Sequence, residues 1–197
     1  MHIEVPQALL TAVLSIFLFL ALCAALVLVV VSVRRPATTP LAVAAGLLVA
    51  ATLVVAVVPI DVPALMGLIL GLLAVAVAVL GGNPVTRQVL ELATGGRVRE
   101  TEDGGILLPA PRKAGEAPEM EPLLRGGTTI GYLERLAVTV SIIAGYPEAI
   151  AVVVAIKGIG RFSELAASEA RERFIIGTIA SLVWASVAGA LVRLAIW

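Results

Sequence analysis

The sequence predicts an all-α, polytopic helical membrane protein with four full spans and an interrupted fifth helical segment. Three observations support this fold class. Hydrophobic residues make up 60% of the chain and charged residues only 14%, and the mean hydropathy of +1.07 lies far above that of soluble domains. Several apolar runs have about the 20 residues that a helix needs to cross a bilayer. A further apolar run is broken at its midpoint by polar residues and a proline.

Apolar runs at residues 8–33, 41–58 and 63–80 predict three membrane spans in the first part of the chain. The first run is too long for the apolar core of a signal peptide, so we interpret it as a retained span. The second and third runs are joined by a tight, proline-rich turn, which makes these helices antiparallel neighbours. Residues 1–82 are therefore expected to form one three-span helical unit.

Residues 83–129 are predicted to form a loop between this unit and the rest of the protein. The loop opens with Pro84, which suits a first helical turn, and we expect a short interfacial helix there. Residues 97–127 are rich in Pro, Gly and Glu without sustained periodicity, which predicts a flexible linker. Residues 130–197 then form a C-terminal helical membrane module, which ends in a fourth span at residues 174–197.

Basic residues are distributed unevenly around the spans. Lys and Arg follow the first and third spans, whereas the segment before the first span and the turn before the third contain none. Because cytoplasmic loops carry an excess of Lys and Arg, we expect the N-terminus outside and residues 83–129 in the cytoplasm. This orientation fits a multi-pass protein of the bacterial plasma (inner) membrane.

The interrupted segment, residues 133–162, carries polar groups at a depth where they are costly. Its midpoint is a candidate intramembrane polar site formed by Tyr146, Pro147 and Glu148. Its flanks hold a candidate charge cluster, which consists of Glu134, Arg135, Lys157 and Arg161. Glu148 is either a functional carboxylate or the cap of the following helix, since a carboxylate complements a helix N-terminus.

Two architectures fit the interrupted segment. A single helix kinked at Pro147 would cross the membrane and separate Glu134 from Lys157 by roughly 35 Å, at about 1.5 Å per residue. A re-entrant hairpin with its tip at residues 144–147 would return Lys157 to the side of Glu134 at the cytoplasmic surface. The positive-inside rule favours the hairpin, whereas its non-helical tip must be buried in protein or face water. The sequence leaves both alternatives open.

Small residues recur every four positions on several predicted helices. Candidate helix-packing residues are Gly67 and Gly71 in the third span, and Gly177, Ser181, Ala185 and Gly189 in the last helix. A further set lies in the second span at Ala42, Gly46 and Ala50. Such faces let helix backbones approach closely, which is a main source of association in lipid. We expect the last helix to pack through this face against the interrupted segment or against a second copy.

The C-terminal third, about residues 125–190, resembles that of a family of mainly actinobacterial integral membrane proteins of uncharacterised function. It also resembles a domain of unknown function that bacterial and phage membrane proteins share. The matching elements are IGYLER at 130–135, GYPEA at 145–149, Lys157, Arg161 with Phe162, and IIGT at 175–178. Relatives in the wider group often carry serine after the lysine, where this chain has Gly158. The resemblance implies a shared C-terminal helical module and no activity.

No group of residues in the sequence indicates catalysis. His2 is the only histidine and Cys23 the only cysteine, and neither an HExxH motif nor a P-loop is present, so we expect no enzyme, metal or cofactor. With 4% aromatic residues and no basic arm, the chain lacks the signature of a nucleic-acid partner. We expect an accessory or assembly protein that acts in the lipid bilayer through helix–helix contacts, as a homo-oligomer or with other membrane proteins. The alternative is a small oligomeric transporter or channel that uses the interrupted helix and Glu148.

Overall fold

A computed structural model describes residues 6–34, 37–58, 61–94, 107–109, 120–122, 127–160 and 168–197. Within these ranges the chain forms six α-helices and two short strands. The helices are α1 (Gln7–Arg34), α2 (Thr38–Val57), α3 (Ala64–Thr94), α4 (Gly127–Ile143), α5 (Ala149–Gly160) and α6 (Ser168–Ile196). The strands are β1 (Leu107–Pro109) and β2 (Met120–Pro122).

Four of these helices are long and apolar enough to cross a membrane, namely α1, α2, α3 and α6, and α5 is a shorter apolar helix. The 20 residues of α2 extend about 30 Å at 1.5 Å per residue, which matches the hydrocarbon core of a bilayer. The 28 residues of α1 extend about 42 Å. The predicted all-α membrane fold with four spans is therefore confirmed.

The third helix is longer than the sequence predicts. The third span and the expected interfacial helix form one continuous helix of 31 residues that contains Pro84. Proline usually breaks a helix because it lacks an N–H group and its ring meets the carbonyl of residue i−4. In α3 the residues just before Pro84, Gly81 and Gly82, are buried against α6 and α4. This tertiary packing outweighs the local cost of the proline, so a separate interfacial helix does not form.

The predicted linker contains regular structure that the sequence did not reveal. β1 and β2 pair antiparallel, with Leu108 opposite Glu121. Each strand has three residues, which is too short to give the alternating pattern by which strands are recognised. The other residues of the linker before Gly127 lie outside the described residues.

Helices α3 and α6 pack against each other in opposite directions along most of their length. The indole N–H of Trp184 donates to the carbonyl oxygen of Val77 at 3.1 Å. A Cβ atom on Gly81 would lie 2.6 Å from the ring of Trp184, and one on Gly67 would lie 2.6 Å from Cγ2 of Ile196. A side chain at either glycine would therefore force the facing side chain of α6 to move. We name the end where α3 finishes and α6 begins the near end, and the opposite end the far end.

Helix α4 runs in the same direction as α6, from the near end to the far end. The Thr139 hydroxyl donates to the carbonyl oxygen of Ala185 at 3.4 Å. Farther along, a Cβ on Gly189 would lie 3.2 Å from the carbonyl oxygen of Thr139. Just past the end of α4, Gly145 lies against the guanidinium of Arg193 in the last turn of α6. The interrupted segment therefore reaches the far end of the bundle before it turns.

The bundle is apolar inside and outside. Buried leucines from several helices form its centre, including Leu18, Leu22, Leu48, Leu70 and Leu191. Large hydrophobic side chains are also exposed along α1, α2, α3 and α6. Such a continuous exposed apolar surface is incompatible with water and suits contact with lipid tails.

Candidate functional site

The interrupted segment reverses direction through a defined helix cap. Gly145 has φ of +82°, in the left-handed region that glycine adopts without a Cβ clash. Its N–H donates to the Ile142 carbonyl at 3.0 Å, and the Tyr146 N–H donates to the Ser141 carbonyl at 2.8 Å. These two bonds form a Schellman motif, which ends α4, and Pro147 then prevents the helix from continuing. The break that the sequence predicts is thus a glycine-capped helix end followed by a turn.

The two arms of the reversal meet through an ion pair. Nζ of Lys157 on α5 lies 2.5 Å from Oε2 of Glu134 on α4, and the two side chains are only 17% and 8% exposed. Nζ also lies 5.7 Å from the centre of the Phe174 ring on α6. A kinked crossing helix would separate the two charges by roughly 35 Å. The structure therefore has the hairpin geometry of the two alternatives.

The hairpin tip carries the candidate polar site. Tyr146, Pro147 and Glu148 are all exposed there, Tyr146 by 70%. The tip lies at the level of Arg193, whose guanidinium stacks on Trp197 with 4.6 Å to the ring centre. Arg and Trp at the end of a spanning helix characteristically sit at the membrane interface. The tip therefore lies at the far end of the bundle, level with the C-terminal end of α6.

Arg135 is the most deeply buried charged side chain among those that the structure describes, with 2% exposure. It ties α4 to both neighbouring helices. On α3, its Nε donates to the Val79 carbonyl at 3.1 Å and its Nη2 to Oδ1 of Asn83 at 2.8 Å. On α6, its Nη1 donates to Oγ of Ser181 at 3.0 Å. The guanidinium also lies 5.3 Å from the centre of the Tyr132 ring.

Two glycines beside Arg135 leave room for its side chain. A Cβ on Gly82 would overlap the Arg135 side chain, and a Cβ on Gly131 would lie 3.1 Å from Nη1. Arginine does not lose its proton in proteins, and no carboxylate of the described residues forms an ion pair with it. Its neighbour Glu134 turns towards Lys157 instead. Within the predicted charge cluster, Glu134 and Lys157 form an ion pair, whereas Arg135 donates its hydrogen bonds to α3 and α6. Arg161 lies outside the described residues.

A cavity of about 320 Å³ opens beside Arg135 at the near end of the bundle, between α3, α4, α5 and α6. Four basic side chains line it: Arg87, Arg135, Lys157 and Arg173. No Asp or Glu occurs among its described lining residues. Thr86 also lines the cavity, and its buried Oγ1 has no hydrogen-bond partner among the described residues. We name this site the basic cavity.

Sequence reasoning found only part of the basic cavity. It singled out Arg135 and Lys157 because they flank the interrupted segment. It missed Thr86 and Arg87, because these residues line the cavity only when α3 continues through Pro84. Their position four and five residues after Gly82 could have identified them, if the helix had been predicted to extend past Pro84.

The small-residue face of α6 is used inside this chain. Ser181 and Ala185 accept hydrogen bonds from α4 at 3.0 and 3.4 Å, and Gly189 lies against the α4 backbone. Gly177 instead packs on α3, where a Cβ would lie 3.2 Å from a methyl group. The face thus packs against the interrupted segment and α3, which leaves little of it for a second copy.

The equivalent face of α2 is uncovered. Ala42, Gly46 and Ala50 are all exposed, and a Cβ on Gly46 would meet no atom within 4 Å. The two small residues of α3 differ in their surroundings. Gly67 packs on α6, whereas a Cβ on Gly71 would meet no atom within 4 Å. Helix α2 therefore presents a narrow outer surface that no other described part of the chain covers.

No protein-family model, curated protein or solved structure matches this chain. The resemblance of its C-terminal third therefore stays a prediction. Among the described residues, no three His, Cys, Asp or Glu side chains lie together in a group that could hold a metal ion.

Proposed function

We propose that this protein is a non-enzymatic accessory or assembly protein of the bacterial inner membrane, which acts through helix–helix contacts in the bilayer. The observation that carries the proposal is the uncovered small-residue face of α2 at Ala42, Gly46 and Ala50. Lipid tails are as apolar as leucine, so helices in a bilayer associate by close packing of such faces. In α6 the corresponding residues are covered by helices of the same chain.

The open face of α2 therefore suits a partner helix, from another membrane protein or from a second copy. A helix seated there would approach the α2 backbone at Gly46, where space remains for it. A two-fold pairing of α2 with itself would be the simplest homo-oligomer, because the same face meets itself in such an interface. Either partner would use contacts of the kind seen between α4 and α6.

The charges at the two ends support the proposed orientation. The near end carries basic residues on several helices, including Arg34, Arg87 and Arg171, whereas the far end carries Asp61, Glu148 and a single described basic residue, Arg193. By the positive-inside rule the near end is cytoplasmic. Because α1 begins at the far end, this orientation places the N-terminus outside.

A transporter or channel built on Glu148 has less support. Such proteins place the carboxylate of an interrupted helix near the bilayer midplane, facing a cavity between helices. Here Glu148 is exposed at the far-end tip of the hairpin, and the basic cavity lies at the opposite end of α6.

Substituting Gly46 by isoleucine is expected to remove the partner while leaving the bundle folded. The new side chain extends into open space, since nothing lies within 4 Å of a Cβ at this position, but it blocks backbone approach by a second helix. We expect at least a tenfold loss of cross-linked or co-purified partner from native membranes. The thermal unfolding midpoint of the purified protein should stay within a few degrees of wild type, because surface changes cost about 0.5 kcal/mol or less.

Gly71→Ile is the matched control, because it makes the same change at another open glycine whose next neighbour on that face is Val75. It should retain the partner. Loss of a second copy in Gly46→Ile would identify a homo-oligomer, and loss of a different protein would identify a heterologous partner. An unchanged set of partners and an unchanged copy number in Gly46→Ile would refute the proposal.

A further inference from the structure

The basic cavity is lined by four basic side chains. Arg87, Arg135 and Arg173 line it together with Lys157, and no described acidic residue lines it. Lys157 is paired with Glu134 on the neighbouring arm of the hairpin. The cavity volume of about 320 Å³ falls within the roughly 300–1,000 Å³ of small-molecule sites. Basic side chains around one opening attract an anion, and an anion bound there would stabilise the folded protein.

Hydrogen-bond donors in the cavity also remain available for an acceptor. Thr86 Oγ1 is buried without a partner among the described residues, and leaving a buried hydroxyl unsatisfied costs about 1–3 kcal/mol. Arg135 uses three N–H donors on neutral acceptors of α3 and α6, out of the five that a guanidinium carries. An anion that accepts several hydrogen bonds at once would satisfy both side chains.

We propose that the basic cavity binds a phosphate group, carried by an anionic membrane lipid or by a small soluble phosphate compound. Arginine side chains match the oxygen geometry of phosphate through paired N–H donors. The cavity opens at the near end, where Arg87 and Arg171 mark the membrane surface. Basic pockets between spanning helices at such a surface recognise the head groups of anionic lipids. This site is separate from the helix-docking face of α2.

The test uses the purified full-length protein, stripped of lipid in a neutral detergent. Inorganic phosphate is titrated in one arm at constant ionic strength, with chloride as the replaced anion. In the other arm the protein is placed in nanodiscs of phosphatidylcholine with or without phosphatidylglycerol. Binding is measured in both arms from the rise of the thermal unfolding midpoint with probe concentration.

Two cavity variants and one matched control give the proposal its sharpest test. Arg87→Gln and Thr86→Val should each raise the dissociation constant for the effective probe by about tenfold, since each removes a hydrogen bond to a charged group. Thr86→Val keeps the side-chain shape and removes an unsatisfied hydroxyl, so it should fold at least as well as wild type without the probe. Arg34→Gln removes an exposed charge at the near end outside the cavity, and its dissociation constant should stay within about twofold.

Stabilisation by inorganic phosphate would identify a soluble ligand, and stabilisation by phosphatidylglycerol alone would identify a lipid. Both results support the proposal if the cavity variants weaken binding more than Arg34→Gln does. Absence of stabilisation in both arms would overturn it, as would an equal loss in all three variants, which would indicate general surface charge. The outcome is independent of the α2 proposal, because Gly46→Ile should bind the probe as wild type does.

Discussion

Replacing Arg135 by methionine is expected to lower the free energy of unfolding by about 3 kcal/mol, because it strands buried acceptors. The carbonyl of Val79, the amide oxygen of Asn83 and the hydroxyl of Ser181 would each lose the hydrogen bond that Arg135 donates. Methionine is unbranched like arginine and fills part of the space that the Arg135 side chain occupies. The decrease in the free energy of unfolding therefore comes mainly from the lost hydrogen bonds. The effect should be large because the change loosens α4 from α3 and α6 at one point.

Equilibrium unfolding in mixed micelles measures this effect directly. Arg34→Met is the control, because Arg34 is exposed at the end of α1 and its loss should cost about 0.5 kcal/mol or less. Equal stabilities of Arg135→Met and Arg34→Met would contradict the role of Arg135 as the link between the three helices.

Reversing the charge of Glu134 should be equally damaging, and a second reversal should repair it. Glu134→Lys places two ammonium groups together where the side chains are now 8% and 17% exposed, and we expect a loss of about 3 kcal/mol. Lys157→Glu alone should also destabilise the protein, because it opposes two carboxylates. The double variant Glu134→Lys, Lys157→Glu restores opposite charges across the hairpin and should recover at least half of the loss.

The same unfolding measurement provides the double-mutant cycle. Glu91→Lys serves as the control for charge reversal, since Glu91 is exposed near the end of α3. The decrease in the free energy of unfolding of the double variant could instead equal the sum of the decreases in the two single variants. Glu134 and Lys157 would then not be neighbours. A single crossing helix predicts that additive result, whereas the hairpin predicts coupling.

The spans could be predicted because length and apolarity suffice to identify them. The predicted second span at residues 41–58 matches α2 (Thr38–Val57), since prolines bound the apolar run on both sides. The end of the third span could not be predicted in this way. Pro84 is a local signal for a break, but the packing of Gly81 and Gly82 against Trp184 and Arg135 decides the outcome. Contacts between helices that are far apart in the sequence cannot be predicted from the local sequence.

In the candidate site, too, local features could be predicted from the sequence, whereas contacts between distant residues could not. An interruption at residues 145–148 was predicted from the glycine and Pro147, but the sequence left open whether it is a kink or a helix end. The partner of Glu134 was readable only as one of two alternatives, which differ in where the chain goes next. The acceptors of Arg135 are separated from it by 46 to 56 positions. Helical periodicity shows which face a residue occupies, but not which helix covers that face.

After the hairpin, the chain returns to the near end of the bundle. Single cysteines at Glu91, Glu148 and Arg171, all exposed positions, test it in a Cys23→Ala background with an impermeant thiol reagent on intact and opened cells. The hairpin predicts that positions 91 and 171 label from one side of the membrane and position 148 from the other. Labelling of positions 91 and 171 from opposite sides would contradict it.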